Sequence, residues 1–220
     1  RPTHVAAAFA RQPEVMVSPV VSGQELEPLL DKPSVLIVGP GLGRSPWSEQ
    51  LLQKAVAAEL PMVVDADALN IIAEGRVVSE PNGHLWVMTP HPAEAARLLG
   101  ITVDEVQADR FAAVRRLQQK YHAVVLLKGA GTLIACPNDE LIKVCPYGNP
   151  GMATGGMGDI LSGIIGGLLA QGLEPSLAAE LGCCLHSAAA DMAVEEQGVR
   201  GLAATDVLAH LRKLLNSEIE

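Results

Sequence analysis

Short apolar runs alternate with stretches of helical period along the first two-thirds of the chain. Residues 34–38, 62–64, 85–88 and 123–127 are brief and rich in Val, Ile, Leu and Met, and most are closed by Gly, Asp or Pro. Continuous apolar runs of that length read as strands buried on both faces. Between them, residues 47–59, 67–73, 92–99 and 104–121 carry apolar positions every three to four residues and predict helices. Phe111, Val114, Leu117 and Tyr121 mark one face of the last. Ser45 or Ser48 caps the first, with Pro46 near its first turn, and Asp67 caps the second. Residues 133–136 and 141–145 flank Pro137–Glu140 in sequence and predict a hairpin. Helices follow over 159–171 and 175–196, and a last one runs from a Thr205 cap to Leu215. Residues 1–34 are weakly patterned, with the end of a helix at 6–10 and a short strand at 15–17.

Strand–helix alternation of this kind predicts a mainly parallel sheet with right-handed crossovers and helices on both faces, a three-layer α/β fold. The 220 residues fit one such domain. Ligands in these sheets lie beyond the carboxyl ends of the strands. Five polar or glycine-rich segments fall there, after residues 38, 64, 88, 127 and 145.

Composition narrows the function. Hydrophobic residues make up 49% and aromatics 3%, so the core is built from Ala, Val, Ile and Leu. A net charge of −9 argues against nucleic acid, whose backbone needs clustered Lys and Arg. It leaves room for a phosphorylated small molecule, because backbone amides and helix N-termini hold phosphate without a basic surface. Cys136, Cys145, Cys183 and Cys184 form no C-x-x-C pair. They read as reduced structural thiols, which implies a cytoplasmic setting. No uncharged apolar run reaches the roughly 20 residues of a membrane span, and no membrane partner is expected.

The strongest chemical motif is residues 148–159, GNPGMATGGMGD. Glycines let successive N–H groups surround an anion, and the helix that follows adds its unpaired N–H groups and positive dipole end. Asn149, Gly155, Gly156 and Gly158 are candidate phosphate contacts, and Asp159 in the first helical turn is positioned to take a proton from a hydroxyl attacking phosphorus. The plainer alternative is a tight turn with Asp159 as a helix cap. The segment is neither a Walker A loop nor a Rossmann fingerprint. Lys128, Gly129, Ala130, Gly131 and Thr132 follow a buried strand and either bind nucleotide phosphate or form a β-turn with a solvated lysine. Gly39, Gly41, Leu42 and Gly43 form either a substrate contact or a rigid connector. Asp65 and Asn70 are candidates for substrate or for a metal's water shell. His91, held between two prolines that fix the backbone, is a candidate ligand contact, and Glu94, one turn on, is a candidate to orient Mg²⁺ or its waters. His4, His84, His122, His186 and His210 show no ligand spacing and are assigned no role.

These five segments, in this order, resemble the ADP- or ATP-dependent NAD(P)H-hydrate dehydratases, whose fold is ribokinase-like. The resemblance extends from Ser34 to Asp206. It implies an enzyme that converts hydrated NADH or NADPH (NADHX, NADPHX) back to the normal cofactor, with ADP or ATP as phosphoryl donor and Mg²⁺. By that resemblance, residues 128–132 and Gly158 contact the AMP portion of the nucleotide. Asp159, His91 and the 39–43 turn contact the hydrated dinucleotide, with Asp159 as the base. The family domain begins upstream with a further strand and turn, which this sequence lacks. An epimerase domain is joined upstream in some members, and a homo-oligomer is expected. His91-Pro-Ala-Glu94 stands where ribokinase-like kinases often carry Asn-x-x-Glu. A ribokinase-like kinase of a vitamin-precursor alcohol and a non-catalytic nucleotide-binding module are the alternatives.

Overall fold

A computed structural model describes residues 1–78 and 85–216. Its strands are β1 (Leu36–Val38), β2 (Met62–Val64), β3 (Trp86–Met88), β4 (Val124–Leu127), β5 (Thr132–Ala135) and β6 (Ile142–Cys145). They form a single sheet in chain order. The β1 to β4 pairings are parallel, and β5 and β6 add antiparallel. The expected hairpin is therefore β5–β6.

Because the chain always steps toward the same edge, right-handed crossovers place every connecting helix on one face. These are α3 (Pro46–Ala57), α4 (Ala66–Ala73), α5 (Pro92–Leu99), α6 (Val103–Ala108) and α7 (Arg110–Tyr121). Leu52, Leu69, Leu98, Val114 and Leu117 pack there with Met62, Val64, Met88, Val125 and Leu127. The other face is left for the later helices α8 (Met157–Ala170) and α9 (Pro175–Gln197), whose Leu161, Ile165, Leu168 and Ala179 cover Val63, Val87, Val124, Leu126 and Ile134. Alternate residues of one strand thus enter opposite cores, which is why the strands read as continuous apolar runs. A last helix, α10 (Asp206–Leu215), packs on α9.

Several expectations are corrected. The helix expected over 104–121 is two. Thr102 and Glu105 build a capping box for α6, and the Asp109 carboxylate accepts from Ala112 N at 2.9 Å to start α7. The first 34 residues hold two helices, α1 (Pro2–Arg11) and α2 (Gly23–Leu30). Residues 15–17 form no strand: Met16 is 98% exposed. Thr205 makes no capping bond, and Asp206 instead accepts from Ala203 N at 2.8 Å. Asp67 does not cap α4; Asp65 occupies the cap position without a capping bond. Helix α9 is long and apolar enough, by length and composition, to cross a membrane, yet half of that stretch is buried inside the fold. Its Glu180 accepts from Cys136 Sγ just beyond β5, and its Asp191 accepts from Asn149 Nδ2 in the loop beyond β6. All four cysteines are free. His84 lies outside the described residues.

Candidate active site

The parallel strands end around a buried ion cluster. Lys128, just past β4, donates from its backbone to Pro90 O at 2.9 Å and from Nζ to Asp65 Oδ1 at 2.8 Å. Asp65, past β2, is 1% exposed, and its other oxygen accepts from Ser162 Oγ of α8 at 2.9 Å. Glu94 Oε2 lies 4.0 Å from the same ammonium. One cation therefore serves two buried carboxylates, an arrangement in which removing the cation is costly. Burial pushes the Glu94 carboxyl above its ordinary range, against the opposing pull of Lys128. Glu94 also closes a capping box with His91. Its Oε2 accepts from His91 N at 2.8 Å, and His91 Nδ1 accepts from Ala93 N at 3.1 Å. His91 is thus the exposed cap of α5, its pKa lowered by partial burial and then by Lys128 and Arg97.

The 39–43 turn is fastened to the same cluster. Gly39 has φ +129, and a Cβ there would stand 1.7 Å from Asp65 O, so only glycine fits. Asp67 takes a different task from the expected cap, accepting from Gly43 N at 2.7 Å. Leu42 N donates to Gly39 O at 3.0 Å, and Ser48 Oγ donates to Leu42 O at 2.8 Å. Asn70 is engaged by Arg97 at 2.9 Å.

A cavity of about 640 Å³ opens between β4, β5, the 146–153 segment and helices α8 and α9. Lys128, Gly129, Ala130, Gly131, Thr132, Asn149 and Gly158 all line it, so seven of the nine expected nucleotide contacts meet in one space. Gly155 and Gly156 lie at the N-terminal end of α8, outside its wall. The 148–152 segment is pinned by Asp191 of α9, which accepts from Gly148 N at 2.9 Å and Asn149 Nδ2 at 2.8 Å. Helix α8 presents its first N–H groups beside Gly158, where an anion gains from both the free donors and the dipole.

Asp159 is exposed and forms part of a neighbouring groove with Ile160, Gly163, Ile164, Leu208 and Leu211 rather than the cavity wall. It sits one residue beyond Gly158, on the turn of α8 that separates the two recesses. Gly39, Gly41, Leu42, Gly43 and His91 lie past β1 and β3, outside the cavity wall.

His186 carries no ligand spacing in sequence, yet it lines the cavity with Cys183 and Ser187 of the same helix. It is 4% exposed, and burial, with Lys128 second, pushes its pKa down to about 4. Its imidazole is neutral at pH 7. The signal available beforehand was position: residues 183, 186, 187 and 190 share one face of a helix. Asp191 and Arg110, two further residues that shape the cavity wall, gave no local signal.

The whole of residues 1–213 matches the family model described as NAD(P)H-hydrate dehydratase. A bifunctional NAD(P)H-hydrate repair enzyme of Coxiella burnetii is 53% identical over 98% of this chain and 43% of its own length. The chain thus spans about two-fifths of such bifunctional relatives. An ADP-dependent (S)-NAD(P)H-hydrate dehydratase of Neisseria meningitidis is 44% identical over 96% of this chain and 71% of its own. Among solved structures, the ADP/ATP-dependent NAD(P)H-hydrate dehydratase of Bacillus subtilis, co-crystallised with ATP and Mg²⁺ and soaked with CoA, aligns with a TM-score of 0.80 at 25% identity, covering 97% of this chain and 77% of that one. A ribokinase-like superfamily protein of Enterococcus faecalis aligns at 0.78 and 29% identity, covering 96% and 73%, so the expected ribokinase-like architecture is the one observed. By the family match over residues 1–213 and by its fold, the chain belongs to the NAD(P)H-hydrate dehydratase family.

Proposed function

We propose that this chain dehydrates hydrated NADH and NADPH back to the working cofactors, using ADP or ATP as phosphoryl donor. The observation that carries the reading is the meeting of the 128–132 loop, Asn149 and the N-terminus of α8 around one cavity. Backbone N–H groups and a helix end there suit a nucleotide's phosphates. The neutral His186 and the Cys183, Leu161 and Met157 side chains line the rest of that space. The ADP dependence of the Neisseria relative favours ADP.

Asp159 stands between the cavity and the outer groove, which is where a nucleotide and a second substrate would meet. In this reading its carboxylate takes the proton of the ring hydroxyl as that oxygen attacks the terminal phosphorus. The α8 amides stabilise charge on the transferring group. Phosphorylation makes the former hydroxyl a good leaving group. The ring nitrogen lone pair then expels phosphate, and loss of a proton from the adjacent carbon restores the dihydronicotinamide. The 39–43 turn and His91 would hold the dinucleotide past β1 and β3.

Among the described residues no cluster of three metal-ligating side chains occurs, and Glu94 Oε2 is already turned to His91 and Lys128. Mg²⁺ fits this site as an ion carried on nucleotide phosphates and water, with Glu94 reaching it through water. There it would shield phosphate charge. A cytoplasmic setting, a homo-oligomer and an upstream epimerase unit belong to the same proposal. So does reading the chain as one catalytic domain completed upstream: β1 is an edge strand, with Ile37 45% exposed, open to a further strand.

The test is incubation with hydrated NADH, ADP and Mg²⁺ while following the near-ultraviolet absorbance of NADH. Recovery supports the reading. Absence of recovery with either nucleotide, together with phosphorylation of another alcohol, would establish a kinase instead.

A further inference from the structure

The 128–132 loop is gripped from behind by Arg110, the first residue of α7. Its Nη1 donates to Ala130 O at 2.7 Å, and its Nη2 donates to Leu127 O at 3.2 Å and Lys128 O at 3.4 Å. The remaining carbonyl, that of Gly129, accepts from Thr132 Oγ1 at 3.0 Å. Four consecutive carbonyls are therefore fixed by side chains of this protein. The fit leaves no slack, because a Cβ on Gly129 would come within 2.9 Å of Arg110 Nη2.

A trans peptide points its C=O and its N–H in opposite directions. Holding the Lys128 and Ala130 carbonyls on Arg110 therefore turns the N–H groups of Gly129 and Gly131 away from it. Residues 128–132 form one wall of the cavity, and Arg110 is not part of that wall. The two amides thus face the side open to ligand, and among the described residues neither donates to another group. No carboxylate pairs with Arg110 among the described residues. Its guanidinium, which stays protonated, places an unneutralised positive charge directly behind the loop.

We propose that Arg110 is a positioning residue for nucleotide binding, setting the Gly129 and Gly131 amides as donors to a phosphate group. This rests on the reading of the cavity as a nucleotide site. Arg110 does not touch the ligand. It acts through the loop, by geometry and by the field of its charge. Lysine at this position keeps the charge but presents a single ammonium, which cannot span carbonyls of residues 127, 128 and 130 at once.

The experiment compares wild type, Arg110→Lys and Arg110→Met by calorimetric titration with ADP, by KM for ADP and kcat, and by melting of the nucleotide-free protein. Arg110→Met should raise both Kd and KM for ADP about thirtyfold, equivalent to about 2 kcal/mol, while kcat at saturating ADP falls far less. Arg110→Lys should lie between the two. Equal ADP affinity in Arg110→Met and wild type would overturn the assignment. So would a loss confined to melting temperature and kcat. A second measurement needs no substitution. In ¹⁵N-labelled wild type, ADP should shift the amide protons of Gly129 and Gly131 downfield, and unmoved resonances on saturation would also overturn it. Wild type that binds no ADP at all would instead remove the nucleotide reading beneath it, a result distinct from failure of Arg110 alone.

Discussion

Two glycine-rich loops follow strands of the same sheet, and the chain treats them in opposite ways. In the 39–43 turn, the amides of Leu42 and Gly43 are spent on Gly39 O and Asp67, and Gly39 is wedged against Asp65 O. In the 128–132 loop it is the carbonyls that are spent, on Arg110 and Thr132. The first loop is a fastener, and the second is a set of donors held open. Glycine content is the same signal in both, so it does not by itself tell which peptide groups a loop can offer to a ligand. What separates them is which half of each peptide the fold leaves free.

That contrast is sharpened by separating chemistry from binding. Asp159→Asn should lower turnover by about 10³-fold, in the range of a general base, with ADP affinity kept, since Asp159 lies off the cavity wall. Single-turnover rates and calorimetry check both halves. Turnover within tenfold of wild type would end the assignment of Asp159.

The fastener should fail abruptly. Gly39→Ala forces a Cβ to 1.7 Å from a backbone oxygen at φ +129, and an unfolding loss of more than about 4 kcal/mol is expected, the range of severe backbone strain. Urea unfolding at pH 7 measures it. Lys128→Met should cost about 3–5 kcal/mol by leaving Asp65 and Glu94 buried without their cation, read in the same way.

A smaller effect follows from His186. Its folded pKa, about 4, lies below the 6.5 of the unfolded chain. Between those values the unfolded state binds the extra proton, so stability falls as pH drops from 6.5 to 4. The loss should approach about 3 kcal/mol. Glu94, with its raised pKa, works against this slope, because the folded state then binds the extra proton as pH falls. Unfolding at pH 7 and pH 4.5 should show a shallower difference in His186→Gln than in wild type; an equal difference would contradict the assignment. Smallest of all, Gly131→Ala sits at φ +63 with 3.7 Å of clearance from Val144. It should cost only about 1–2 kcal/mol, the ordinary penalty of a left-handed residue. A loss there equal to that of Gly39→Ala would erase the contrast between the loops.

Much of this was readable beforehand. All four parallel strands, the β5–β6 hairpin and the order of the five strand-end segments follow from short apolar runs closed by Gly, Asp or Pro. The same runs hid what depends on distant partners. Asp191 reaches Asn149 across 42 residues, and Arg110 reaches Ala130 across 20. Neither residue differs locally from a surface charge on a helix. The break at Asp109 is invisible to periodicity because the apolar period continues through it. Helix α1 was faint because it buries no residue. Asp67 reads as a cap in sequence because a carboxylate at a helix start has that commonest use, whereas its actual partner, Gly43 N, lies 24 residues away. Seven of the candidate nucleotide contacts come together by topology alone, since strand ends of one sheet converge whatever the loop details.

In the proposed reaction, phosphoryl transfer from the nucleotide drives the dehydration. ³¹P NMR of the purified protein with hydrated NADH, ADP and Mg²⁺ tests it most directly. AMP and inorganic phosphate should appear in equal amounts, each matching the NADH restored. Restoration of NADH with ADP untouched, or a phosphate ester that accumulates without NADH, would contradict it.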